Sequence, residues 1–424
     1  MDSGSWRCLS IIADERIRAT CSSHGQLHST HPMADSTRSS SPNTPVNVSA
    51  TTVQNTRSWR LGLFLSAVAT VAIALLLVQI DTFDAAPYSS DELAKKPISA
   101  VPRTNPRMLH GSEKIGEGLL LAPEDILYDP KLGVIYTGCV DGWIKRVTVN
   151  ESVVEDWVNT GGRPLGLALG NSGEVYVADG FKGILKITQD GEIEALTDEA
   201  EGVKFGTTDD VVVAENGVLY FTDASWKYDL RNFALDMFEG RPYGRFMSYD
   251  PSTKQTKVIA RDLFYANGVE ISPNQDFVIF CETPMMRCMR YYLKGEKEGS
   301  IDVFVDRLPG TPNNIRYDGE GHYWIAMPTE HTYEWDLARK YPYIRKVLGF
   351  MEKYLKRPSV EKNSGVIAVD LNGKPVDLYY DPELTFVTTG IKIGENLYLG
   401  NFAKNFIIRL NLTRYPATAP SSTT

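Results

Sequence analysis

Residues 264–327 state one pattern twice, and that repetition limits the possible folds more than any other feature of the chain. Each copy begins with a polar amide (Asn267; Asn313 and Asn314) and runs into a short alternating strand (Val269, Ile271; Ile315, Tyr317). A turn rich in Asp, Gly, Asn or Pro follows, then a strongly apolar second strand, FVIF or YWIA. Period-two runs bounded by such turn residues read as β-strands, and recurrence at a fixed interval marks a repeat architecture.

The rest of the chain can be laid over this template. Residues 123–149, 162–188, 206–260 and 386–412 supply four further copies. One residue of each second strand serves as a marker: Tyr136, Tyr176, Tyr220, Ile279, Trp324 and Tyr398. Their spacings are 40, 44, 59, 45 and 74 residues. About forty residues is the length of a four-stranded propeller blade. The two long gaps hold insertions at 226–244 and 330–362, the second reading as an amphipathic helix with Leu348, Met351 and Leu355 on one stripe. The expected fold is therefore all-β, a six-bladed β-propeller over residues 118–412.

Ahead of the repeats, residues 1–60 are rich in Ser, Thr, His and Pro and read as a disordered tail, with Met33 a plausible alternative start. Leu61–Ile80 is twenty residues without a charge. As a helix it spans roughly 30 Å, one bilayer core. Arg57 and Arg60 precede it and Asp81 and Asp84 follow, which leaves the tail cytosolic and the propeller luminal or extracellular, a type II anchor. A cleaved signal peptide and a buried core helix are the competing readings, and the tail is too long for the first. Residues 81–117 read as a linker and 413–424 as a disordered end. Within a luminal domain the sequons at Asn150 and Asn411 are glycosylation candidates.

The net charge of −9 comes with no basic stripe, which argues against a nucleic-acid partner. None of the five cysteines has zinc-type spacing. Cys281 and Cys288 flank a hairpin turn and either pair in an oxidising compartment or stay as buried thiols.

GRPLG, YFTDAS, ANGVEISP, CET, RYYLKGEKEG, LPGTPNNI and NLYLGNF occur in that order, and the chain resembles the strictosidine synthase-like proteins. It is most similar to the branch with the animal adipocyte plasma membrane-associated protein and its plant relatives. The resemblance covers residues 111–412 and implies a six-bladed propeller with a membrane anchor.

First strands of all blades line a propeller's channel, so their starting residues converge. Carboxylates with amide oxygens there form a hard oxygen cage suited to Ca²⁺. The resemblance to paraoxonase-like propellers implies calcium at Glu124, Asp209, Asn267, Asn313 and Asn314. Two positions depart from that pattern: Asp209-Asp210 stands for Asn-Asp, and Asn313-Asn314 for Asp-Asn. The competing reading is that these side chains only satisfy strand-start backbone groups.

The family's name-giving amine–aldehyde condensation uses a Glu at the position held here by Thr388, which accepts no proton near neutral pH. The paraoxonase-type His after Pro is replaced by Leu165. What remains is a metal polarising an ester or lactone carbonyl, with Asp210 or Glu282 as base. The expectation is thus a calcium-dependent, arylesterase-like hydrolase of small-molecule esters or lactones, the alternative a non-catalytic binding or scaffolding propeller. Strictosidine synthase activity is disfavoured by Thr388.

Overall fold

The computed structural model describes residues 55–98, 101–355, 357 and 359–419, in two units that divide after Thr82. The expectations for residues 1–54 and 420–424 lie outside the described residues. In the first unit, helix α1 (Asn55–Ile80) contains the uncharged run Leu61–Ile80, long and apolar enough to cross a membrane. Large apolar side chains stand exposed along it, Leu63 at 60% and Leu76 at 60% among them, a surface that lipid suits and water does not. Thr70 returns its hydroxyl hydrogen to the Ser66 carbonyl at 2.9 Å, which satisfies a polar group inside the run.

The second unit is a six-bladed propeller, each blade a sheet of at least four strands. From the inside outward, blade 1 is Leu127–Asp129, Val134–Gly138, Trp143–Thr148 and Val154–Asn159. Blades 2, 3 and 4 start on Pro164–Leu169, Thr208–Val213 and Ala266–Ile271, and blade 5 on Ile315–Tyr317. Blade 6 takes three strands from the C-terminal end, beginning at Val387–Ile393, and its outermost strand, Glu113–Ile115, from before blade 1. That exchange closes the ring and leaves no gap between first and last blades.

The six apolar clusters of the ring each fall between two neighbouring blades. Alternation explains it: Tyr323, Ile325 and Met327 face blade 4, while Trp324 and Ala326 on the same strand face blade 6. A strand buried on both faces reads as a continuous apolar run. All six marker residues of the repeat lie in the cluster between their own blade and the next.

Three expectations change. Residues 83–117, read as a linker, include helix α2 (Ser90–Ala94) and two strands, and Arg103–Asn105 adds a parallel fifth strand to blade 5. Strands of three residues are too short to show a period, so the sequence does not reveal them. Residues 413–419, read as disordered, return to the sheet region, where Thr418 bridges Thr104 and Ala417 is buried. The insertion at 330–362 forms two helices, α4 (Tyr333–Lys340) and α5 (Pro342–Tyr354), after α3 (Phe233–Glu239) in the blade 3 insertion. Pro342 ends the first of that pair because it offers no amide hydrogen and holds Tyr341 extended, at φ −119° and ψ 97°. Leu355 lies past the end of α5 and is 61% exposed, so the stripe predicted through it stops at Met351.

These helices form a lid with the chain just after the first unit. Phe83, Ala85, Ala234, Leu235 and Phe238 make a seventh apolar cluster, joined by Trp335 and Leu348. Arg345, fully buried, fastens it by donating to the carbonyls of Ala338 (2.9 Å), Phe238 (3.0 Å), Glu239 (3.2 Å) and Ala86. Gly240 caps α3 at φ +64°, where a β-carbon would stand 2.2 Å from Arg345 Nη1. Glycine is required there for both conformation and room.

Candidate functional site

Under the lid lies a cavity of about 280 Å³. Each blade gives its floor one residue from the start of its innermost strand: Glu124, Leu165, Asp209, Asn267, Asn313 and Thr388. The inner strands of blades 2, 3, 4 and 6 carry a register irregularity at these positions, between Thr208 and Val211 in blade 3 for example. A bulge bends the strand and re-aims a side chain toward a site. Inner strands also approach one another closely: a β-carbon on Gly268 would lie 2.5 Å from the Asn313 carbonyl oxygen.

The floor is a cluster of buried oxygen donors. Glu124 is 4% exposed and Asp209 5%. Burial pushes the Glu124 carboxyl well above the usual carboxylate range, and the charges of Asp125 and Asp209 push further, against the buried Arg163 guanidinium. Asp209 is raised in the same way, by burial and then by Asp210, Asp223 and Asp125. The Asn314 amide nitrogen donates to both Glu124 carboxylate oxygens, at 3.1 and 3.2 Å, so Asn314 braces Glu124 from behind and does not line the cavity. Buried side-chain oxygens of Asn267 and Asn314 have no hydrogen-bond partner. Thr388 donates its hydroxyl hydrogen to the Glu124 carbonyl at 2.7 Å.

Two raised carboxylates beside the orphaned Asn267 oxygen are what a hard divalent cation would satisfy, and the donor set fits calcium. Among the described residues no three His, Cys, Asp or Glu side chains gather as a group able to hold a metal, so the fit depends on the asparagines. Glu124, Asp209, Asn267 and Asn313 come together as the sequence suggests, with Asn314 one step back.

The two proposed bases lie elsewhere. Asp210 is fully buried and points below the floor, where both its oxygens take hydrogens from Arg316 at 2.8 Å and one also takes the Val269 amide hydrogen at 2.8 Å. Glu282 accepts from the Phe264 amide at 2.9 Å and from Arg287 at 2.6 Å. It belongs to a repeated device at the ends of second strands: Asp179 takes the Arg163 and Phe181 amides, and Asp223 those of Gly206 and Thr207. Neither Asp210 nor Glu282 lines the cavity, and both are fastenings of the ring.

Sequence reasoning passed over Asp125, Arg163, Arg316 and the lid residue Trp335. The first three are charged residues set among strand-start apolar residues, each within three positions of a floor residue, and that misplacement is the signal that could have found them. Of the other expectations, Cys281 and Cys288 are direct cross-strand partners in blade 4 and form a disulfide. Asn150 is exposed in a turn, and Asn411 is partly buried at the end of a strand.

Comparison with known proteins agrees with this geometry. The family model described as strictosidine synthase matches residues 209–296, and that for the strictosidine synthase-like N-terminal region matches 105–147. The chain is 52% identical to an Arabidopsis thaliana protein named strictosidine synthase-like 6, over 84% of this chain and 96% of that one. It is 32% identical to the adipocyte plasma membrane-associated protein of Gallus gallus, over 82% and 89%. Among solved structures it is similar to a gluconolactonase of Xanthomonas campestris (TM-score 0.52, 14% identity, 74% of this chain and 96% of that one). A calcium-binding protein of Agrobacterium tumefaciens, regucalcin, is similar to the same degree (TM-score 0.52, 13% identity, 75% and 97%). At these identities the solved structures speak for the fold alone. A six-bladed ring with these motifs in this order, matched along nearly the whole length of its relatives, places the chain in the strictosidine synthase-like family.

Proposed function

We propose that the protein is a membrane-anchored propeller that holds calcium at the cavity floor and hydrolyses small esters or lactones there. The observation that carries this reading is the floor itself: Glu124 and Asp209, both buried and raised, beside the orphaned Asn267 oxygen. Glu124, Asp209, Asn267 and Asn313 would hold the ion, with Asn314 keeping Glu124 in place. Bound there, calcium supplies a Lewis acid for a carbonyl oxygen. The chain's own residues do the rest. The lid's apolar residues seat the acyl part, and a carboxylate oxygen of Glu124 or Asp209 that is not engaged by the ion takes the proton from the attacking water. The printed names of the gluconolactonase and the calcium-binding regucalcin support the reading by analogy of fold.

Glu124→Gln is expected to weaken calcium binding at least tenfold, about 1.4 kcal/mol, in isothermal titration. Chelation should lower the melting temperature and abolish turnover of aryl esters and lactones, with both restored by calcium. If chelation lowers the melting temperature but the loaded protein turns nothing over, the binding or scaffolding reading replaces the enzyme.

The orientation is inferred from the charges on either side of the uncharged run Leu61–Ile80, and the Cys281–Cys288 disulfide supports it, since such bonds persist in oxidising compartments. Asn150→Gln should therefore remove one glycosidase-sensitive step in gel mobility. A native chain that glycosidase does not shift would put the propeller on the other side of the membrane.

A further inference from the structure

The cavity's walls and its mouth differ in chemistry. Phe233, Met237, Trp335, Leu348 and Phe402 make apolar walls between lid and floor. Toward solvent the lining acids become more exposed: Glu361 has a side chain 13% accessible, Glu330 34%, and Glu334 is exposed. The floor acids, at 4 and 5%, mark the other end. Arg357, the lining cation, is already held by Glu352 at 3.0 Å and Glu361 at 2.7 Å. Lys362 reaches Glu330 only at 4.0 Å and is half exposed.

A ligand with its carbonyl at the floor therefore runs through an apolar passage and ends beside carboxylates. Like charges repel more strongly where protein displaces water. We propose that the site accepts esters or lactones with a lipophilic tail that is uncharged or cationic, and that Glu330 and Glu334 reject tails ending in an anion. The inference rests on the hydrolase reading and names its substrate class. Hydrolysis breaks the acyl carbon–oxygen bond, adds the hydroxyl of water to the acyl carbon and gives the remaining hydrogen to the leaving oxygen.

The test uses the full chain in detergent with calcium and three 4-nitrophenyl esters of matched length: the hexanoate, the 6-aminohexanoate and the adipate half-ester. We expect kcat/KM for the hexanoate to exceed that for the adipate by roughly tenfold or more, the amino ester lying above the adipate. The Glu330→Gln, Glu334→Gln double variant should narrow the hexanoate-to-adipate ratio several-fold. Equal rates for hexanoate and adipate, or a ratio the variant leaves in place, would overturn the proposal. A binding arm separates this from failure of the hydrolase reading. If no ester is turned over, fluorescence of N-phenyl-1-naphthylamine and its 8-sulfonate still reads the charge rule: tighter binding of the uncharged dye supports it, and equal binding refutes it.

Discussion

Replacing Arg316 with methionine is expected to cost about 3–5 kcal/mol of folding stability, the largest loss from any single substitution proposed for this chain. Arg316 lies below the cavity floor on the inner strand of blade 5, 7% exposed. Its guanidinium meets both oxygens of Asp210 from blade 3 at 2.8 Å and both oxygens of Asp125 from blade 1, one of these at 3.1 Å. Both aspartates are 0% exposed. Each also caps the next blade, Asp125 the Leu167 amide at 2.9 Å and Asp210 the Val269 amide at 2.8 Å. One cation thus holds two acids that tie five of the six blades.

The size of the loss comes from what is left behind. A well-packed apolar group in place of a whole buried ion cluster can be neutral, but removing only the cation leaves two buried carboxylates with backbone amides and no countercharge. Asp210→Asn should therefore cost less in the Arg316→Met background than in the wild type, with a coupling of about 0.5–3 kcal/mol. Arg316→Lys should recover only part of the loss, because an ammonium cannot serve two carboxylates with a planar fork. Urea unfolding followed by circular dichroism measures the wild type and the four variants. A loss below about 1 kcal/mol for Arg316→Met would show that the ring does not depend on this hub.

Much of the floor was legible before any coordinates because a propeller repeats its geometry. Once Asn267 and Asn313 are seen to head equivalent strands, Glu124, Leu165, Asp209 and Thr388 follow by position, and all six line one cavity. The roles of neighbouring acids were not legible. Asp209 and Asp210 are adjacent and chemically alike, yet one faces the cavity and the other Arg316, and the irregularity between Thr208 and Val211 that separates them leaves no mark on residue types. Glu282 misled for a similar reason: the same position carries Asp179 and Asp223 in other blades, and its role shows only when the loop amides it receives are visible. The lid was half legible. A helical stripe was visible in the sequence, and Pro342 is a local break signal that was passed over, whereas the packing on Phe83 depends on contacts between segments far apart in the chain.

The lid also holds an acid that works against it as pH rises, and Asp236→Asn is expected to stabilise the fold by an amount that grows with pH. Asp236 lies on α3, is 2% exposed, and has one carboxylate oxygen without a hydrogen-bond partner. Burial pushes its carboxyl up to about 8; the Glu239 and Asp223 charges add to this, while the Ser225 hydroxyl and the Lys227 ammonium pull the other way. In the unfolded chain the same group ionises near pH 4. Between roughly pH 4 and pH 8 the folded protein therefore keeps a proton that the unfolded chain has released. Stability from this group is complete at the acid end of that window. It falls by up to about 1.4 kcal/mol per pH unit toward the upper end, then levels off. Asparagine carries no such proton and removes the slope, so the difference between variant and wild type should widen across the window. Other titrating groups affect both proteins alike and cancel in that difference. Because Phe233, Met237 and Phe238 of α3 line the cavity, hydrogen exchange at the amides of α3 is the sharper readout. Protection there should drop with rising pH in the wild type and hold in the variant, once intrinsic exchange is corrected for. Identical pH profiles for the two would mean that Asp236 is already ionised in the folded protein.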